Sequence, residues 1–230
     1  MPFIQKLKKI TTADNTESFH NQEVGESYHS HSGAVEEAYK KYVIPCKIKE
    51  IAKTGSLKIL DVCFGIGYNS AAAISAALEE NPNCQIEVIG LENDPEIINQ
   101  IKDLSPPIPY YEHYKKLSGH SLQFTHENVT VKILLGDAHD TVKNIQDNYV
   151  DAIFFDPFSP KTAPHMWNTD ILKQMYRVIK ENAIFSTYSC ARIVRDNLKE
   201  VGFIYDDGPI VGRRGPGTIA FKIEIFIVNV

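Results

Sequence analysis

A chain of 230 residues is long enough to bury one full core, and 43% hydrophobic with 23% charged residues is the balance of an ordinary globular protein. No apolar run approaches a membrane span, and the start Met1-Pro-Phe-Ile-Gln-Lys lacks the apolar centre of a secretion signal, so the expected location is the cytoplasm. A net charge of −5 confines any polyanion-binding surface to a local patch. The scattered Cys46, Cys63, Cys84 and Cys190 suit buried free thiols, not a disulfide framework or a zinc site.

Residues 4–19 alternate weakly around the turn cluster Ala13-Asp14-Asn15-Thr16, which predicts a small N-terminal hairpin with Lys6, Lys8 and Lys9 on a basic face. A polar, aromatic loop over 25–32 leads into a helix from about Ser32. Ser30 or Ser32 is its expected cap, Glu36 and Glu37 occupy the first turn, and Pro45 stops or kinks it. His20, His29 and His31 share no helix-face spacing, which predicts hydrogen bonding or solvent exposure and no metal site.

Next comes an apolar run, 57–62, followed by Gly65, Gly67 and an Ala-rich stretch over 71–78. The pattern predicts a buried strand, a tight turn where backbone approaches a ligand, and a helix with Asn69 as N-cap. Ser70 stands where a dinucleotide fingerprint wants its third glycine, so pyrophosphate binding is disfavoured. Asp61 just before the turn suits a ligand with an amino group and a positive charge, and S-adenosylmethionine is such a ligand. A side chain at Gly67 is then expected to intrude on the ligand's space without disturbing the fold.

A second strand over 85–91 ends at Glu92, where doubly wound folds grip ribose hydroxyls, and Pro95 opens a helix running to about Asp103. The insertion 104–128 interleaves Pro, Tyr, His and Lys. It suits either a nucleic-acid stacking surface or a packed excursion over a sheet edge. Strands follow over 129–135, ending Gly136-Asp137-Ala138, and over 150–155, ending Asp156-Pro157-Phe158-Ser159-Pro160. The pattern continues with a helix over 169–181, a strand over 183–188, a helix over 192–200 and strands over 203–205 and 218–228. This order predicts an α/β fold, a class I Rossmann-like doubly wound sheet, mostly parallel with an antiparallel C-terminal pair, in one domain over 1–230.

Such a sheet binds ligands at the carboxyl ends of its strands, where Asp61, Glu92, Asp137 and Asp156 all fall. With Gly65, Gly67 and Asn69, the first three of these acids are the expected cofactor residues, Asp137 near an adenine amino group. Asp156 would face the entry of a second substrate, walled by Phe158, with Tyr28 and Tyr188 lining the pocket. Lys115, Lys116, Arg213 and Arg214 join the hairpin lysines as candidate contacts for a polyanion.

The chain also carries a resemblance. Thr12-Ala13-Asp14, Gly25-Glu26, Tyr28-His29-Ser30, Gly33-Ala34, Glu37-Ala38 and Phe64-Gly65-x-Gly67-x-Asn69 occur in the order seen in the methyltransferase half of the bifunctional tRNA 5-methylaminomethyl-2-thiouridine biosynthesis protein. Gly136-Asp137-Ala138, then Asp156-x-Phe158-x-Pro160 reaching Pro164, Met166 and Trp167, then Thr187-Tyr188-Ser189, Val194-Arg195 and Gly202-Phe203 continue it over nearly the whole chain. The resemblance implies a class I S-adenosylmethionine-dependent enzyme that methylates the aminomethyl group of a wobble uridine in tRNA. It implies a catalytic role for Asp156 and cofactor contacts at Gly65, Gly67, Glu92 and Asp137. Cys63 replaces a glycine usual before the Phe-Gly pair, and Ala163 an asparagine usual before Pro164. No second glycine-rich strand-helix unit follows, so the aminomethyl group would be made elsewhere. A small-molecule methyltransferase or aminopropyltransferase could use the same fold, and a non-catalytic RNA-binding module could retain the sheet.

Overall fold

The structure is a computed structural model that describes residues 6–212 and 214–222. The N-terminal alternation forms β1 (Leu7–Thr11) and β2 (Glu17–Asn21), antiparallel across a turn in which Asn15 takes φ +62°. Asp14 braces that turn by accepting from the Thr12 hydroxyl at 2.6 Å and Thr16 N–H at 3.1 Å. A two-residue strand that the sequence pattern did not indicate, β3 (Glu26–Ser27), pairs with β2. Leu7 and Phe19 carry this small sheet into the main hydrophobic core.

The following helix departs from expectation at its start and end. Its N-cap is Gly33, because the Ser30 and Ser32 hydroxyls bond each other at 2.7 Å instead of capping α1 (Ala34–Glu37). Asp14 comes closest to capping it, 3.4 Å from the Glu36 N–H. A π-helical turn, Ala38–Val43, then runs into Pro45. Pro45 has no N–H for the Lys41 carbonyl four residues back, and the Ser186 hydroxyl bonds that carbonyl at 2.6 Å instead. After Lys47 at φ +53°, a short helix α2 (Ile48–Ala52) resumes.

The large sheet holds β4 (Ser56–Val62), β5 (Gln85–Glu92), β6 (Gln123–His126), β7 (Val129–Leu135), β8 (Val150–Phe155), β9 (Ile179–Thr187), β10 (Ile204–Asp207) and β11 (Thr218–Phe221). Their order is β10-β11-β9-β8-β4-β5-β7-β6, with the central five parallel, β6 and β11 antiparallel to them, and β10 antiparallel to β11. The chain leaves β4 toward β5 on one side and returns as β8 on the other, so β4 borders the topological switch point. Parallel pairing of Val62 with Leu91 and with Phe155 brings the following loops to one edge. Helices α3 (Tyr68–Glu80), α4 (Pro95–Asn99), α5 (Ala138–Thr141), α6 (Thr169–Val178) and α7 (Arg192–Glu200) complete the fold, with separate cores formed around Leu57, Ile59 and Val88 and around Leu60, Ile153 and Phe155. Among the described residues no helix is long and apolar enough to cross a membrane.

One further expectation is corrected, one pair of alternatives is decided, and one expectation lies partly outside the described residues. Helix α6 ends at Val178 rather than 181, and Ile179 pairs with Val150 before an irregularity with Asn182 at φ +61° leads into the main run of β9. The segment 104–128 is a packed excursion. Tyr110, Tyr111 and Tyr114 on a 3-10 helix, Pro109–Lys116, are buried against α3 and the core, and β6 covers the outer edge of β7. Strand β11 is described only as far as Phe221, and the rest of the expected 218–228 run lies, apart from Lys222, outside the described residues.

Candidate active site

A cleft of about 1120 Å³ opens at the carboxyl edge of the parallel strands. Its floor is the loop after β4, where Cys63, Gly65 and Gly67 take φ of +61°, +56° and +76°. Phe64 turns inward over Gly90, where any Cβ would stand 2.6 Å from the ring, and stacks on Tyr114 with centroids 6.0 Å apart. Glu92 ties the loop down. Its Oε2 accepts the Gly65 N–H at 2.8 Å, and its Oε1 accepts those of Asn93 and Asp94 at 2.9 Å. Burial raises the Glu92 pKa against these hydrogen bonds.

Gly65, Asn69, Glu92, Asp137 and Asp156 all line the cleft, as do Tyr28, Phe158 and Tyr188. Asn69 is not the N-cap of α3, a position Gly67 holds. It lies in the first turn, where its Nδ2 donates to Asp156 Oδ2 at 3.0 Å and its buried Oδ1 has no partner. Asp137 caps α5 through the His139 N–H at 2.8 Å.

Gly67 and Asp61 lie beneath the cleft rather than on its wall. A Cβ at Gly67 would meet Tyr114 at 2.7 Å and Phe64 at 2.8 Å, so protein packing alone already requires the glycine. Asp61 is fully buried, and neither oxygen makes a well-formed hydrogen bond, Ser70 being the nearest donor. Burial pushes its pKa up from 3.8 to about 8, opposed by Ser70 and reinforced by Asp156. The fold therefore holds a proton that the unfolded chain releases near 3.8. The associated stability is present below that pH and is lost at about 1.4 kcal/mol per unit as pH rises toward 8. Asp61→Asn should gain thermal stability relative to the wild type progressively from pH 5 to pH 8, measured as the difference in Tm. A difference that does not change with pH would show that Asp61 is already ionised in the fold.

Elsewhere on the cleft wall, Asp156 sits half-buried between Asn69, His29, Tyr42 and Lys41. Burial raises its pKa, with the hydrogen-bonding and cationic neighbours opposing. The segment after it is anchored at three points. Tyr188 donates to the Pro157 carbonyl at 3.0 Å, the Trp167 indole to the Phe158 carbonyl at 2.8 Å, and Ser159 N–H to Glu26 at 2.9 Å. Phe158 thereby stands edge-on to Tyr28, centroids 5.2 Å apart.

Sequence reasoning missed Glu26, Glu37 and Lys41, which all line this cleft. The Glu37/Lys41 spacing of four on a helix was the available signal. His29 is a hydrogen-bonded residue, as expected, sharing a 2.8 Å bond with Ser18 and stacking on Tyr68. Burial lowers its pKa. The cationic candidates are not gathered at the cleft. Lys115 pairs with Glu112, Lys116 and Arg214 are exposed away from its lining, and Arg213 is outside the described residues. Lys9 pairs with Glu17, and Lys6, on the cleft rim, pairs with Asp94 at 3.1 Å, so the hairpin's basic face is partly neutralised. Cys46 and Cys84 are buried free thiols, whereas Cys63 and Cys190 are half-buried.

The lining fits a cationic adenosyl ligand. Glu92, Asp94, Asp137 and Asp156 supply negative charge around the glycine loop, and the unpartnered Asn69 Oδ1 is free to accept from an amino group. Comparison with known proteins agrees. A family model described as S-adenosyl-L-methionine-dependent methyltransferase matches residues 106–223. An uncharacterized protein of Methanocaldococcus jannaschii is 29% identical over 98% of this chain and 64% of its own length. The tRNA 5-methylaminomethyl-2-thiouridine biosynthesis bifunctional protein MnmC of Leptospira borgpetersenii is 29% identical over 68% of this chain, which spans only 25% of that protein. The crystal structure of MnmC2 from Aquifex aeolicus superposes with a TM-score of 0.83 at 33% identity, covering 96% of this chain and 72% of that one. Spermidine synthase from Thermotoga maritima, at 14% identity and a TM-score of 0.54, shares the fold. With its glycine loop, its acid-lined cleft and these likenesses, the chain belongs to the S-adenosyl-L-methionine-dependent methyltransferase family, as an MnmC-like methyltransferase.

Proposed function

We propose that residues 1–230 act as one methyltransferase domain that methylates the primary amine of a 5-aminomethyl or 5-aminomethyl-2-thio uridine at the wobble position of tRNA. The observation that carries this reading is Asp156. It is an acid at the end of β8, fixed through Oδ2 by Asn69, in a pocket walled by Tyr28, Phe158 and Tyr188 that suits a flat base bearing an amine. The likeness to MnmC2 and to the methyltransferase portion of MnmC supports the choice of acceptor. Lys116 and Arg214, both exposed, are the described candidates for phosphate contacts, with Lys115 held back by Glu112.

When bound, S-adenosylmethionine supplies an electrophilic methyl group. The acceptor nitrogen forms the new bond to that carbon as the carbon–sulfur bond breaks, and it must present a lone pair along that line. Deprotonating an alkylammonium of Lys-like pKa at pH 7 costs roughly 4 to 5 kcal/mol. An ionised Asp156 close by raises that cost, so its work is orientation. Oδ1 accepts one amine N–H while Oδ2 stays on Asn69, and the departing proton leaves through Asp156 or water after the bond has formed. The rings of Tyr28, Phe158 and Tyr188 hold the base.

Nucleoside mass analysis after incubation with labelled methyl donor tests the reading. Label is expected on the aminomethyluridine of tRNA, with none on tRNA lacking the aminomethyl group. Label on a ring carbon or ribose of unmodified tRNA, or on free polyamine with none on tRNA, would replace it.

A further inference from the structure

The acceptor side of the cleft contains a charge pair that this chemistry leaves unused. Lys41 and Glu37 are only 8% and 5% exposed, and both line the cleft. Glu37 Oε1 accepts from Lys41 Nζ, and its Oε2 accepts the Ser30 N–H at 3.0 Å. Burial pushes the Glu37 pKa up, yet Lys41 and Ser30 outweigh it and hold the carboxyl below its usual range. Gly212 closes over the far side, where a Cβ would stand 2.3 Å from Ser32 Oγ and 3.0 Å from Glu37 Oε1.

A buried ion pair is weak evidence for stabilisation, because desolvating both charges offsets most of their attraction. An ammonium also has three N–H groups, and the described hydrogen bonds of Lys41 Nζ use one of them, to Glu37. Its other neighbours belong to the acceptor pocket. The Tyr188 ring centroid is 5.9 Å away, and Asp156 and His29 are within electrostatic reach. The pocket thus offers an anion for the reacting amine and, beside it, a cation with spare donors. A free polyamine offers nothing to that cation, and its second ammonium would be repelled. A 5-aminomethylated uridine offers its 4-carbonyl, on the ring carbon next to the one that bears the aminomethyl group.

We propose that Lys41, held by Glu37, is the acceptor-specificity residue: it donates a hydrogen bond to the 4-carbonyl of the base that carries the reacting amine, and it excludes free polyamines by charge. This rests on the proposed aminomethyluridine acceptor. It accounts for why an acid-rich cleft on a fold shared with a spermidine synthase would be closed to polyamines.

The test removes both charges together, since taking Lys41 alone would strand a buried carboxylate. Wild type, Lys41→Met/Glu37→Gln and Lys41→Arg are assayed with tRNA carrying aminomethyluridine and with 1,3-diaminopropane. The double variant should raise KM for the tRNA by about tenfold with a smaller change in kcat, and should gain transfer to the diamine, while Lys41→Arg keeps the wild-type preference. Unchanged KM and unchanged preference in the double variant would overturn the role of Lys41 and leave the acceptor reading standing. A uniform loss on both acceptors with a lowered Tm would also overturn it, marking the pair as structural. Absence of transfer from wild type to the modified tRNA would defeat the acceptor reading and this inference with it.

Discussion

Asp156→Asn should lower kcat by roughly 10²-fold, the scale of losing a group that aligns the reacting nitrogen, while cofactor affinity and Tm stay near wild type. The amide is isosteric, so the contact with Asn69 and the anchors at Pro157, Phe158 and Ser159 can persist. The loss falls on the reacting amine, which would meet an uncharged group able to present its NH2 instead of an acceptor oxygen. Single-turnover methyl transfer measures the rate, and calorimetry with S-adenosylmethionine measures the affinity. A near-normal rate would remove Asp156 from the chemistry. Equal losses in rate and in cofactor affinity would place its role in cofactor binding.

Gly67→Val should destabilise the whole protein. The residue takes φ +76°, and its Cβ would enter the space already filled by Tyr114 and Phe64. Left-handed strain of about 1–3 kcal/mol and overpacking of about 1–3 kcal/mol combine to a Tm lower by on the order of 10 °C. This corrects the expectation that a side chain there would spare the fold. Gly65→Ala is the matching control. Gly65 does line the cleft, and its Cβ would press only on Tyr28, at 3.3 Å. It shares the left-handed strain, at φ +56°, but not the overpacking, so its Tm should fall less than that of Gly67→Val while S-adenosylmethionine binding weakens. Thermal melts and calorimetry on the two variants separate these effects. An unchanged Tm for Gly67→Val with lost cofactor affinity would restore the original expectation.

Much of the site was legible because a parallel sheet turns strand order into spatial order. Once 57–62, 85–91, 129–135 and 150–155 read as buried strands, the residues after each had to meet at one edge. That is how Glu92, Asp137 and Asp156 could be placed together from sequence. Helix caps were less legible, because capping depends on which groups tertiary packing brings near. Asn69 has the chemistry of a cap but sits two positions past it, and it serves Asp156 instead. The tyrosines of 104–128 have the composition of a stacking surface. Composition could not show that Tyr111 would donate to the Ile66 carbonyl at 2.8 Å, or that Tyr114 would fill the space beside Gly67.

Strand pattern, glycine spacing and acids at strand ends by themselves determined the fold class, the cofactor edge and the position of Asp156, because these depend on local periodicity and on a connection rule that sequence order obeys. Only the tertiary structure added Lys41, Glu37 and Gly212 to the cleft wall that Asp156, Phe158 and Tyr188 share. Lys41 and Glu37 come from the helix near the N-terminus, Asp156 and Phe158 from the end of β8, Tyr188 from the end of β9 and Gly212 from a later loop. Their meeting depends on side-chain packing between segments far apart in the chain, and no local pattern encodes it.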